Sequence, residues 1–128
     1  MDTIEAFYNL YNRGDLDAVM ELFAPDAKLE NCVLGTSFDG PAAIRGFFDD
    51  FAEIVEDAKA VPQDQTTDGD LVLIDVELRG RMRHTGMTEN TMSAYQVVHG
   101  LRLNGDKLAW WAICSTHAEV LRAAGRHE

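Results

Sequence analysis

LVLIDVELRGRMR, residues 71–83, changes character at every second position. Val72, Ile74, Val76 and Leu78 fall on one side, with Asp75, Glu77, Arg79 and Arg81 on the other. That period of two predicts a β-strand with one apolar face. TDGD (67–70), HTGM (84–87) and LNGD (103–106) supply glycine turns around and beyond it, Asn104-Gly105 giving the strongest hairpin signal. The second half of the chain therefore predicts about four long antiparallel strands, and Pro62 predicts an edge strand or a bulge around 59–66.

The first half has a different period. In DTIEAFYNLY (2–11), Ile4, Phe7, Tyr8 and Tyr11 lie on one helix face, and Asp2 with Glu5 resembles a capping box. Gly14 stops this helix. Asp15 caps a second, with Leu16, Val19, Met20 and Phe23 inward and Pro25 closing it. A third starts at Pro41 after Gly40. Its apolar stripe is Ile44, Phe47, Phe48, Phe51 and Val55, opposite Asp49, Asp50, Glu53 and Glu56. AKLENCVL (27–34) predicts a short strand between the second and third helices, and Asp39 a turn or helix-entry residue. Helices followed by strands indicate an α+β fold, a curved sheet with helices on one face, in one domain spanning 1–128.

Composition narrows the partners. The net charge of −11 would repel a phosphate backbone, which argues against nucleic acid and anionic membranes. No apolar run is long enough to span a bilayer. MDTIEAF carries an acid where a secretory signal would carry basic residues. The two cysteines, Cys32 and Cys114, lie far apart in sequence and outside any CxxC motif, which favours a reducing, cytoplasmic location over a disulfide framework.

Alternation also divides the last strands into faces. Tyr95, Val97 and His99 share one side, as do Trp111, Ile113, Ser115 and His117; Met92, Ala94 and Val98 share the other with Trp110 and Cys114. A sheet covered on one face should be polar on its outer face. Met92, Ala94, Val98, Trp110 and Cys114 break that rule, and an exposed apolar patch of this kind predicts a homodimer through the outer sheet face. The competing reading is that AEVLRAAG (118–125) folds back over the patch.

YNRGDLDAVMELFAPDAKLEN, GPAAIRGFF and GLRLNGDKLAWW, in that order, resemble the NTF2-like superfamily, nearest its ketosteroid isomerase-like and SnoaL-like (polyketide cyclase) branches, over about residues 4–117. The resemblance implies a cone: a curved antiparallel sheet wrapped around three helices, a deep apolar pocket in its mouth, and dimers through the convex face. Function must be carried over residue by residue, because the fold hosts many chemistries. The isomerase's general-base aspartate falls on Asn31, which has no useful basicity. Its oxyanion tyrosine falls on Phe7 and the supporting tyrosine on Phe48, neither a donor; its protonated aspartate falls on His99. All four positions depart, which argues against the steroid isomerase mechanism. The cyclase branch implies an acid/base residue on the same strands, with His84 and His99 a loose counterpart.

His99 is the leading site candidate, expected inside the cone beside Tyr95, Val97 and Trp111 with Asn31 opposite. Burial would keep it neutral near pH 7, able to donate at one nitrogen and accept at the other. The structural alternative is a core histidine bonded to Tyr95, Ser115 or a backbone carbonyl. His117 is expected near the surface. Ser115 has no nucleophilic setting, and His84, His99, His117 and Glu89 are too scattered to hold a metal.

The expectation is a small hydrophobic or aromatic ligand held by Asn31, Phe7, Phe48, Tyr95, Trp111 and Ser115. His99 would serve cofactor-free acid–base chemistry of isomerase, cyclase or dehydratase type. A non-catalytic ligand-binding or protein-interaction module of the same fold is the alternative.

Overall fold

The computed structural model describes residues 2–82 and 92–125, except the side chains of Met82, Met92 and Ser93. The elements run α1 (Thr3–Asn12), α2 (Leu16–Met20), β1 (Phe23–Asn31), β2 (Thr36–Asp39), α3 (Pro41–Ile54), β3 (Val55–Asp68), β4 (Leu71–Met82), β5 (Met92–Asn104), β6 (Lys107–Cys114) and α4 (His117–Ala123). Six strands form one curved sheet in the order β2-β1-β6-β5-β4-β3. The α+β architecture agrees with the sequence reading. The sheet is not wholly antiparallel, however: β1 runs parallel to β6, while the other neighbours are antiparallel. Alternation gives each strand its faces but says nothing of its direction beside a distant partner.

Helix starts follow the capping chemistry. The Asp2 side chain accepts from the Glu5 N–H at 2.8 Å, and Asp15 accepts from the Ala18 N–H at 3.2 Å. Pro41 opens α3 after Gly40, whose φ of 86° places it in a region favourable only to glycine. Two boundaries move. Phe23, expected on the second helix, begins β1, because Pro25 biases Ala24 towards extended backbone. Val55, expected on the third helix, opens β3 (φ −120°, ψ 126°), where it packs over Gly80. Asp39 ends β2 opposite Lys28, a strand too short and exposed to show as a pattern. Pro62 sits on the edge strand β3 where the register shifts between Pro62 and Gln65, as expected. The HTGM turn, with His84, and also Glu89, lie outside the described residues.

The main core lies between the sheet and the first three helices. Phe7 and Tyr8 of α1, Val19 of α2 and Ile44 and Phe48 of α3 meet Leu29, Ile74, Val76, Val97, Leu101 and Trp111 from the sheet. Asn12, the last residue of α1, ties that helix to β3. It accepts from the Ala60 N–H at 2.7 Å through Oδ1 and donates to the Ala60 carbonyl at 2.8 Å through Nδ2. The amide thus imitates a neighbouring strand and fixes the helix over the sheet.

The outer face corrects the sequence reading. Val98 and Cys114 are buried and Trp110 is half-buried, because α4 covers them; Ala94 stays exposed, and the Met92 side chain lies outside the described residues. A second, smaller core of Leu71, Leu73, Val98, Ala112, Cys114 and Val120 forms beneath α4. The apolar patch invoked for a homodimer is thus filled by the chain's own C-terminal helix. Thr116 accepts from the Glu119 N–H at 3.1 Å, and the Glu119 carboxylate accepts from the Ser115 N–H at 3.1 Å. This is a variant of the Thr-x-x-Glu capping box in which the carboxylate reaches the N–H one residue before the cap; the Thr-x-x-Glu spacing is present in the sequence at 116–119. Gly100 lets the helix approach: a Cβ there would stand 2.5 Å from Val120 Cγ1. At the far end, Arg102 lies 5.3 Å over the Trp110 ring and donates to the Ala124 carbonyl at 2.9 Å.

Candidate functional site: an aromatic cavity over a tyrosine–histidine pair

A cavity of about 150 Å³ opens between the concave side of the sheet and helices α1 and α3. Among the described residues that line it, none is charged. Helix α3 contributes Phe47, Phe48 and Phe51, three residues of its inward stripe, and α1 contributes Phe7, Tyr8 and Tyr11. Phe48 stacks on Trp111 with ring centres 5.4 Å apart and 21° between planes, and Phe7 meets the same indole edge-on at 5.2 Å. Trp111 is therefore a shared wall, held from two helices at once. Its indole N–H is buried and has no hydrogen-bond partner among the described residues. Buried donors are ordinarily paired, so this one stands out.

His99 lies inside, 3% exposed, on β5 between Ile74 of β4 and Ile113 of β6. Its Nδ1 lies 2.8 Å from the Tyr8 hydroxyl, with the two rings nearly parallel at 13°. The partner is thus Tyr8, not Tyr95, Ser115 or a backbone carbonyl. Burial pushes the imidazole down from 6.5 to about 3, so the ring is neutral at pH 7. Burial likewise raises the Tyr8 hydroxyl well above its ordinary 10. Two neutral groups sharing one proton position can exist in two arrangements. Either Tyr8 donates to Nδ1 and Nε2 carries the ring hydrogen, or Nδ1–H donates to the hydroxyl and Nε2 is an acceptor. Nε2 is the nitrogen left to a ligand.

The remaining candidates divide. Asn31 is buried and lines the cavity, but its Oδ1 accepts from the Leu34 N–H at 3.0 Å, leaving the Nδ2 donors as what it can offer. Tyr95 lines the mouth and is 53% exposed. It raises Tyr11, whose hydroxyl burial and the Tyr95 charge push up to about 12. Phe7, Phe48 and Trp111 line the cavity. Ser115 is exposed, absent from the lining and engaged at the α4 cap. His117 is on the opposite face of the molecule, its Nε2 2.7 Å from Asp75 Oδ1. No group of three potential metal ligands occurs among the described residues.

Tyr8 is what sequence reasoning missed. The signal was available: a tyrosine on the buried face of an amphipathic helix needs a partner for its hydroxyl. The resemblance drew attention to Phe7 instead, one residue earlier.

A sequence profile of the SnoaL-like domain matches residues 4–111. The chain belongs to the SnoaL-like domain family. No match is found among curated proteins. Among solved structures, IdmH from Streptomyces antibioticus, a candidate polyketide cyclase, is similar with a TM-score of 0.77 and 24% identity, covering 96% of each chain. A hypothetical protein of ketosteroid isomerase-like fold from Catenulispora acidiphila, in complex with trimethylamine, gives 0.78 at 19% identity, covering 98% of this chain and 93% of its own. A candidate polyketide cyclase from Sinorhizobium meliloti gives 0.72 at 24%, covering 87% and 92%. At these identities the likeness establishes the SnoaL-like fold.

Proposed function

We propose that the cavity binds an uncharged, aromatic or hydrophobic small molecule carrying an oxygen, and that the His99–Tyr8 pair meets that oxygen. The observation that carries this reading is a hydrogen-bonded imidazole–phenol pair on the wall of a mainly aromatic and aliphatic cavity with no charged group among its described lining residues. An ionised ligand would enter without a counter-charge, which is costly in apolar surroundings. The Trp111 N–H, without a partner among the described residues, and the Asn31 amide supply further donors around the same space.

The chemistry follows from protonation. With its pKa near 3, His99 is a weak base at pH 7 and a neutral donor. In the arrangement where Nε2 carries the hydrogen, it polarises a carbonyl and stabilises charge developing on that oxygen, as an enolising, cyclising or dehydrating reaction requires. Tyr8 supports that arrangement when its hydroxyl donates to Nδ1. Because no carboxylate is among the described lining residues, removal of a carbon-bound proton would fall to the ligand itself or to water. The same absence favours the second reading, a ligand carrier without turnover.

Titration with 2-naphthol, followed by its fluorescence, tests the binding. Wild-type protein is expected to bind it, and His99→Ala to bind roughly tenfold more weakly, the effect of one buried hydrogen bond. Naphthalene, lacking the hydroxyl, is expected to discriminate little between the two proteins. Failure of wild-type to bind naphthol, or equal losses for both probes, overturns the role given to His99.

A further inference from the structure

The two cysteines that lie 82 positions apart in sequence meet in the fold, with Cys32 Sγ 2.6 Å from Cys114 Sγ. Backbone register brings them together. Asn31 is paired with Ile113 across the parallel β1–β6 ladder, and the Cys32 N–H donates to the Ile113 carbonyl at 2.8 Å. The residue that follows each member of this pair is therefore a cysteine on the outer, α4-covered side, Cys32 just past the end of β1 and Cys114 at the end of β6. Cys114 is fully buried beneath α4, while Cys32 is half-buried and the more accessible sulfur.

We propose that Cys32 and Cys114 are a thiol-oxidation site that a low-molecular-weight disulfide such as glutathione disulfide converts reversibly into an intramolecular disulfide. The link needs little rearrangement, because neighbouring strands already hold the two side chains side by side. Cys32, as thiolate, attacks one sulfur of glutathione disulfide and releases one glutathione thiolate, leaving a mixed disulfide on Cys32. Cys114 then loses its proton and attacks Cys32 Sγ, forming the protein disulfide and expelling the second glutathione. The protein gives up two electrons and two protons; the small disulfide becomes two thiols. Burial raises the Cys114 thiol, which fits its part as the second, resolving sulfur.

The link would act on the cavity. Cys32 opens the turn at 32–35, whose Val33 and Leu34 are exposed and border the cavity beside Asn31. Within the turn, the Leu34 N–H donates to Asn31 Oδ1 at 3.0 Å and the Gly35 N–H to the Asn31 carbonyl at 2.8 Å. Anchoring Cys32 covalently to β6 restrains this stretch of rim.

The test uses the whole wild-type chain, equilibrated in buffers of increasing glutathione disulfide to glutathione ratio, then alkylated and weighed intact. The expected result is loss of both alkylation sites together with the mass of two hydrogens, reversed by dithiothreitol. Peptide mapping should join the Cys32 and Cys114 peptides. Cys32→Ser and Cys114→Ser should each be unable to form the link. In the oxidised protein, amide exchange at Leu34 and Gly35 should slow roughly tenfold or more. Two alkylatable thiols in the most oxidising buffer, or a persistent glutathionyl adduct on Cys32 alone, overturns the proposal. A link that leaves exchange at 34 and 35 unchanged overturns the restraint on the rim. Neither outcome depends on ligand binding by His99.

Discussion

The Tyr8 hydroxyl lies 2.8 Å from His99 Nδ1, joining the first helix to the middle of β5 across 91 positions of sequence. Each residue is unfavourable alone in the apolar core, and each is satisfied by the other.

Tyr8→Phe keeps the ring and removes that partner. Nδ1 is left buried without its hydrogen bond, so the variant should lose about 1–3 kcal/mol of stability in urea unfolding. It should also redistribute the ring hydrogen between Nδ1 and Nε2, visible in the nitrogen chemical shifts of His99. An unchanged unfolding midpoint would contradict the pairing.

The buried imidazole makes stability depend on pH. Its folded pKa lies near 3 against an ordinary 6.5, so between these values the unfolded chain binds more protons than the folded one. The contribution is fully present above pH 6.5 and is lost progressively as pH falls towards 3. Its limiting slope is about 1.4 kcal/mol per pH unit. Urea unfolding at pH 7, 6 and 5 should therefore show a steeper decline for wild-type than for His99→Gln. Parallel curves would mean that His99 is not buried in neutral form.

Gly100→Ala should lift α4 from the outer face. The added methyl meets Val120 Cγ1 at 2.5 Å in a fully buried position, where overpacking costs about 1–3 kcal/mol. Adding Val120→Ala to the same protein should recover part of that loss, since it removes the colliding group. Thermal unfolding of the two single variants and the double variant measures the coupling.

Asn12→Ala should loosen α1 rather than unfold it. Both polar groups of the Ala60 backbone lose their partner, at a cost of about 1–3 kcal/mol. Because α1 carries Phe7 and Tyr8, 2-naphthol affinity should fall together with stability. A loss of stability with unchanged affinity would separate the helix anchor from the cavity.

Much of the fold was legible locally. Caps at Asp2 and Asp15, Pro41 after Gly40, the aromatic stripe of α3 and the alternation of β4 each record an interaction within a few residues, so composition reveals it. The hairpin glycines Gly69 and Gly105 do the same, with φ of 64° and 66°. The cavity walls Phe7, Phe48 and Trp111 and the burial of His99 followed from faces and from family resemblance.

What the sequence by itself determined, then, was which residues turn inward: period, capping and turn chemistry are short-range, and they assign a face to almost every side chain. Only the tertiary structure decided which inward residues meet. Tyr8 reaches His99, Cys32 reaches Cys114 and α4 closes over Val98 because strand order, the parallel β1–β6 pair and the approach at Gly100 set those distances. Such contacts join residues far apart in the chain, where no local spacing rule can reach; they are fixed by the joint packing of the whole core.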